Sequence, residues 1–222
     1  HLLIFHWSIM LLCACCADAG KDNHQVLFSD PRFPYDGGTA GKVIQVTLKY
    51  QKGKLGVDLD AIDVTRGLVV KAILPDGKLA EWNRENADVA IRPLDKIIAV
   101  NGKVGTVQEL ESAIVSSGPD LQLQIQRPQR FEVKLQRPGS LGVRLHYKKS
   151  SMGILISEVL DEGLATVWNA NNPSRVIVAG DRILEVNGES MSPEDMVKKL
   201  SDEDEMSLLI LHYGKDSSTN PV

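Results

Sequence analysis

The side chains that could do covalent or metal chemistry are few and scattered. All three cysteines, Cys13, Cys15 and Cys16, fall in the first sixteen residues, so the rest of the 222-residue chain has no disulfide, no cysteine zinc site and no thiol nucleophile. His24, His146 and His212 are isolated in the sequence, with no His/Asp/Glu cluster at metal-ligand spacing. There is no Gly-x-Ser-x-Gly elbow, no His-Glu-x-x-His and no Gly-x-x-x-x-Gly-Lys-Ser/Thr phosphate loop. The run Asp202-Glu203-Asp204-Glu205 lacks the glycine and alternating oxygen positions of a calcium loop and reads as a solvated turn. The chain is therefore read as non-enzymatic, with no catalytic residue, no metal and no cofactor.

Binding chemistry is what remains, and composition narrows its kind. With 25 Lys plus Arg against 29 Asp plus Glu the net charge is −4, there is no basic block, and eleven aromatics leave little for base stacking, so nucleic acid is excluded as an expected partner. An apolar fraction of 43% with 24% charged residues is ordinary globular composition. The length suits one large domain or two of about 100 residues.

Residues 1–19 form an apolar N-terminal segment, too short and interrupted for a confident spanning helix. Three readings stay open for it: a signal-like segment ending in the small-x-small Ala17-Asp18-Ala19, a cysteine-rich lipidated tip beginning at Met10, or a fragment end, as the missing initiator Met suggests. Membrane contact is expected through this segment alone. The location is secretory or organellar if it is cleaved, and cytoplasmic or membrane-associated if it is not. Residues 20–42, with Asp30-Pro31, Phe33-Pro34 and Gly37-Gly38, read as a linker, and 215–222 as a frayed tail.

Between these ends the chain repeats itself. Residues 55–114 align without a gap on 141–200 at an offset of 86, with 16 of 60 positions identical. LGVDL from Leu55 faces LGVRL from Leu141, Trp82-Asn83 faces Trp168-Asn169, and LDKIIAVNG from Leu94 faces GDRILEVNG from Gly180. A period of 86 exceeds the roughly 20–50 residues of a solenoid unit and fits two copies of one small domain, placed at 43–127 and 130–214.

Each copy reads as opening strand, turn, Leu-Gly-Val strand, third strand, short helix around the Trp, and a strand ended by Asn-Gly, a hairpin-turn signal. A helix follows, capped by Thr106 with Glu109 in one copy and by Ser192 with Pro193 at its first position in the other. Leu110, Ala113 and Ile114, and Met196, Val197 and Leu200, give these helices apolar faces, and alternating strands close both copies. Leu209 and Leu211 fall on the outer face of the last strand, where the first copy has Gln124 and Gln126, and mark that face as a candidate contact surface. The four residues Gln126-Arg127-Pro128-Gln129 between the copies span at most about 14 Å.

In each copy this order, with x-Leu-Gly-Val and then Asp-x-Ile-x-x-Val-Asn-Gly before a capped helix, resembles the PDZ family over about 170 of 222 residues. The resemblance implies an all-β/α+β fold of two partly open β-barrels, each with five to six strands and two helices. It also implies a groove between the second strand and the second helix, where a peptide adds as an extra antiparallel strand. The peptide's terminal carboxylate would then meet backbone N–H groups at Leu55, Gly56 and Val57, and at Leu141, Gly142 and Val143, a nest of charge-assisted donors.

By the same pattern the groove and its pocket would be lined by Leu59, Val107, Glu111 and Ile114 in the first copy, and by Leu145, Pro193, Val197 and Leu200 in the second. In the family that the copies resemble, the first residue of the groove helix largely sets the choice two residues before the ligand's end. Val107 cannot pair with a hydroxyl, so the first copy is expected to prefer an apolar residue there, and Pro193 leaves the second undetermined. Lys54, Ser140 and Leu94 depart from the glycines usual at their positions, and Lys52, Lys54 and Arg137 are read either as carboxylate attractants or as solvated charges. The expected function is a scaffold or adaptor that binds C-terminal peptides with apolar ends. The alternative is a regulatory tandem of a larger enzyme, such as a serine protease, of which this chain is a fragment.

Overall fold

The computed structural model describes residues 41–50, 55–60, 62–63 and 67–214. The N-terminal segment, most of the expected linker, Lys52, Lys54 and the tail lie outside the described residues.

Alternation sets the first sheet. In β1 (Val43–Lys49) every second residue is buried, so Ile44, Val46 and Leu48 face inward. Directly opposite, in β5 (Asp120–Gln126), stand Ile125, Leu123 and Leu121. A slip of β1 by one residue would turn its three apolar side chains outward, so burial fixes the pairing. Between β1 and β5 in sequence lie β2 (Val57–Asp60), β3 (Leu68–Ile73), α1 (Lys78–Glu85), a 3-10 turn at Ala87–Val89, β4 (Lys96–Val100) and α2 (Val107–Val115). The strands form one antiparallel sheet in the order β1-β5-β4-β3-β2.

The second copy repeats this with β6 (Gln129–Gln136), β7 (Val143–His146), β8 (Ile154–Val159), α3 (Leu164–Asn171), β9 (Arg182–Val186), α4 (Pro193–Asp202) and β10 (Glu205–His212). Its order is β6-β10-β9-β8-β7. Each copy is thus a partly open antiparallel barrel of five strands closed by two helices, as the resemblance implies. The Asn-Gly pairs turn the chain with φ of 50° and 77° at Asn101-Gly102 and 54° and 75° at Asn187-Gly188, the left-handed region that tight hairpin turns need.

The helix starts are where the capping residues put them. The Thr106 side chain accepts from Glu109 N–H and the Glu109 carboxylate accepts from Thr106 N–H at 2.7 Å, a complete capping box for α2. Ser192 caps α4 through Asp195 N–H, with Pro193 at the first helical position. Trp82 and Trp168 pack half-buried on the two cores. The Asn beside each Trp closes a loop. Asn83 exchanges two hydrogen bonds with the backbone of Ile91, both 2.8 Å, and Asn169 does the same with Ile177 at 2.7 and 2.8 Å.

The two barrels touch. Val69 and Leu94 of the first share a buried cluster with Met152, Leu184, Leu211 and Tyr213 of the second, with Leu209 packed against it. The outer-face leucines of β10 therefore do form a contact surface, and its partner is the first copy. Around the cluster, the Tyr213 hydroxyl donates to Leu94 O at 2.8 Å, Gln126 Nε2 donates to Tyr213 O, and the Lys96 ammonium sits 5.0 Å from the centre of the Tyr213 ring. Burial pushes the Tyr213 phenol pKa up, so it stays a protonated donor.

Candidate functional site

Both sheets end on a strand with one free side: β2 pairs with β3 and β7 with β8, and no other described strand flanks either. An open edge of unpaired backbone groups is a template for another strand. The turn that leads into each edge carries the Leu-Gly-Val triplet.

Glycine is required at the centre of both triplets. Gly56 has φ 74°, and a Cβ there would lie 2.3 Å from the Cα of Gly77. Gly142 also has φ 74°, and its Cβ would meet Glu162 O at 2.6 Å and the Cα of Gly163 at 2.8 Å. Close packing of this turn on the loop before α1 or α3 turns its carbonyls inward. Leu55 O accepts from Leu79 N–H at 3.0 Å and Gly56 O from Leu74 N–H at 2.8 Å. In the second copy Ser140 O, Leu141 O and Gly142 O accept from the N–H groups of Leu164, Ala165 and Leu160 at 2.9, 3.0 and 2.8 Å.

A trans peptide is planar, so each inward carbonyl sends the next residue's N–H the opposite way. The N–H groups of Gly56 and Val57, and of Leu141, Gly142 and Val143, therefore point away from the barrel's own backbone. Among the described residues no hydrogen bond takes the N–H of Leu55, Gly56, Leu141 or Gly142. Successive outward N–H groups make an anion-binding concavity.

Apolar side chains gather beside each nest. Leu55, Val57, Val107 and Ile114 belong to one buried cluster, with Leu59 packed against it, while Glu111 is half-buried outside that cluster. In the second copy Leu200 is buried, with Leu141, Val143, Leu145 and Val197 half-buried on the same core, and Pro193 is buried at the start of α4. Leu55 and Val57 are 2% and 8% exposed, so the apolar residues of the first triplet are the more enclosed set.

Several sequence readings change. Arg137 is neither a solvated charge nor aimed at an open nest: its Nε donates to Glu203 O at 3.0 Å and its Nη2 to Leu200 O and Ser201 O at 2.9 and 3.2 Å. These are the last carbonyls of α4 and its cap, where a cation offsets the helix's negative end. His212 is not isolated, since its Nδ1 lies 2.8 Å from Oδ1 of Asp181. The acidic run from Asp202 is exposed. No group of three His, Cys, Asp or Glu among the described residues could hold a metal, and no helix among them is long and apolar enough to cross a membrane.

The aspartates of the repeated Asp-x-Ile stretch are buried backbone anchors. Asp95 accepts from Arg92 N–H and Asp181 from Val178 N–H, both at 2.9 Å. Burial pushes both carboxyls above the usual range, against the opposing pull of Arg127 on one and His212 on the other. Sequence reasoning missed these roles and those of Asn83 and Asn169, although recurrence at the same offset was a signal for all four.

Comparison with known proteins bears on the second copy first. Residues 131–211 match the family model of the PDZ domain. No curated protein matches the chain in sequence. Among solved structures it is similar to one described as INAD PDZ45 in complex with NG2 peptide, at 19% identity over 82% of this chain and 96% of that one, TM-score 0.35. Another is described as a complex of INAD PDZ45 and NORPA CC-PBM, at 21% identity over 78% and 92%, TM-score 0.34. Residues 131–211 are therefore a PDZ domain, and the first copy, with the same strand order and a capped helix before its last strand, is a second barrel of PDZ-like fold.

Proposed function

We propose that the chain is a non-catalytic adaptor that takes C-terminal peptides of other proteins by strand addition along β2 and β7. The terminal carboxylate sits on the N–H groups of Leu55-Gly56-Val57 or Leu141-Gly142-Val143. The observation that carries this reading is the pair of glycine-centred turns whose carbonyls are spent inside the barrel, each opening onto an unpaired strand edge. Ladder hydrogen bonds supply affinity without reading sequence, and the apolar clusters select an apolar last residue. Leu59, Val107, Glu111 and Ile114, and Leu145, Pro193, Val197 and Leu200, line the two grooves. Two grooves on one chain add avidity where a partner offers two ends.

The test is binding of the full chain to peptides with apolar ends, each made as free acid and as terminal amide. Affinity that amidation abolishes supports the carboxylate nests. Equal binding of both forms, or none, overturns carboxylate capture and leaves the barrels as internal-strand or packing modules, the role expected of a regulatory tandem in a larger enzyme.

A further inference from the structure

The groove strand of the first barrel is held from outside that barrel. Asp60, the last residue of β2, is 8% exposed, and its carboxylate is divided between two tasks. Oδ1 accepts from Ile62 N–H at 3.1 Å, shaping the turn that leaves the strand. Oδ2 accepts from two groups of the second barrel, Met152 N–H at 2.8 Å and Arg182 Nη1 at 2.7 Å. Arg182 Nη1 also donates to Met152 O at 3.1 Å, so the guanidinium and the Met152 peptide form one seat for the Asp60 carboxylate. Arg182 is 1% exposed, and its Nη2 has no hydrogen-bond partner among the described residues, so the ion pair is enclosed.

A buried pair of this kind adds little net stability, because desolvation offsets attraction, but it tolerates few alternative geometries. It fixes position. Asp60 pairs in the ladder with Val69, which is itself in the interdomain cluster, so both strands at this end of the groove are seated on the second barrel.

Leu94 shows the same dependence by a different route. Its φ is 76°, a left-handed conformation in which a Leu is strained, at the position where the second copy has Gly180 with φ 97°. The Leu94 side chain is 2% exposed in the interdomain cluster, so the strain is held by contact with the other barrel. β2 has only four residues, pairs with β3 alone among the described strands, and its register shifts between Asp58 and Leu59.

We infer that Asp60 and Arg182 are positioning residues for the first groove, the second barrel acting as the clamp that keeps β2 extended for an incoming peptide strand. This rests on the peptide-binding reading above. Hydrogen exchange resolved along the full chain tests it, in the unmodified protein, in Arg182→Gln and in Leu94→Gly. The Leu94 variant restores the residue the other copy carries and remains available if the arginine variant fails to fold. Exchange at residues 57–60 is expected to rise about tenfold or more in both variants, with β4, β5 and residues 143–146 unchanged. An apolar-ended peptide is expected to lose its protection of 57–60 while keeping its protection of 143–146.

Unchanged exchange at 57–60 and unchanged peptide protection there in both variants would overturn the inference. If no peptide protects either edge in the unmodified chain, it is the peptide reading that fails. The peptide-free exchange then still decides whether the second barrel holds β2.

Discussion

Asp181 accepts from Val178 N–H and meets His212 Nδ1 at 2.8 Å, where the first barrel sets Asp95 against Arg127 with Nε and Nη2 at 3.1 and 2.9 Å. The two aspartates occupy equivalent places in the repeat and differ in partner. An arginine is charged at every accessible pH, whereas an imidazole is charged only when protonated.

Both aspartates hold their protons more tightly folded than unfolded, because burial outweighs the partners' pull. The folded protein therefore binds more protons than the unfolded chain between the ordinary aspartate value of 3.8 and each raised native value. Their contribution to stability is full below 3.8 and lost as pH rises through the native values. Urea unfolding across that range is expected to show a decline that Asp95→Asn or Asp181→Asn each reduces. A decline of the same size in both variants would show that other groups set it.

Glu109 gives the opposite sign. Hydrogen bonds from the Thr106 backbone and hydroxyl hold its carboxyl below the ordinary value of 4.5. Its contribution is present above 4.5 and lost as pH falls through the lowered native value. Glu109→Gln is expected to remove this acid sensitivity. Thr106→Ala, which deletes the cap itself, is expected to cost about 1 kcal/mol at neutral pH. Because α2 carries Val107 and Ile114, the same substitution is expected to weaken peptide binding in the first groove, read by titration with an apolar-ended peptide. A Thr106→Ala protein of unchanged stability would mean that packing alone sets the start of α2.

How far the sequence carried the fold can be judged from particular residues. Ile44, Val46 and Leu48, alternating along β1, and the Thr106 and Ser192 caps placed strands and helices within a residue or two, because period and capping are local properties. The repeat placed the two triplets in equivalent turns. Long-range pairings were another matter. Asp60 and Arg182 are 122 residues apart, and nothing in the local pattern of either shows that they meet. Leu94 was visible only as a departure from glycine, and its reason, a strained backbone covered by the other barrel, lies in the interface. Leu209 and Leu211 sat between these cases: their misplaced polarity was legible, and what covered them was not.

The central glycines make the sharpest mutational contrast. Gly56→Ala and Gly142→Ala each set a Cβ at positive φ against backbone, 2.3 Å from Gly77 Cα in one and 2.6 Å from Glu162 O in the other. Backbone cannot swing aside as a side-chain end can, so the turn must shift and its inward carbonyl bonds must stretch. A loss of about 2 kcal/mol or more is expected at each site, from strain plus displaced packing. Gly102→Ala is the control, because it shares positive φ, 77°, but a Cβ there meets nothing within 4 Å. Its cost should stay near about 1 kcal/mol, with carboxylate-dependent binding untouched. If Gly56→Ala and Gly102→Ala cost the same, φ alone governs these turns, and the close approach to Gly77 contributes nothing.

On the proposed reading, Val107 sets the preference of the first groove two residues before the ligand's end. It is 5% exposed at the first position of α2 and offers no hydrogen bond to a ligand hydroxyl. Peptides with an apolar residue two before the end are expected to bind the first groove more tightly than those with Ser or Thr. Val107→His is expected to reverse the order, since an imidazole nitrogen at that helix position can accept from or donate to the hydroxyl. The expected swing is at least about tenfold, equivalent to about 1.4 kcal/mol. The measurement is a pair of titrations, apolar against Thr at that ligand position, on the unmodified chain and on Val107→His, with binding assigned to residues 55–60 by hydrogen exchange. Tenfold tighter binding of the Thr peptide by the unmodified first groove would show that a group other than Val107 reads that position.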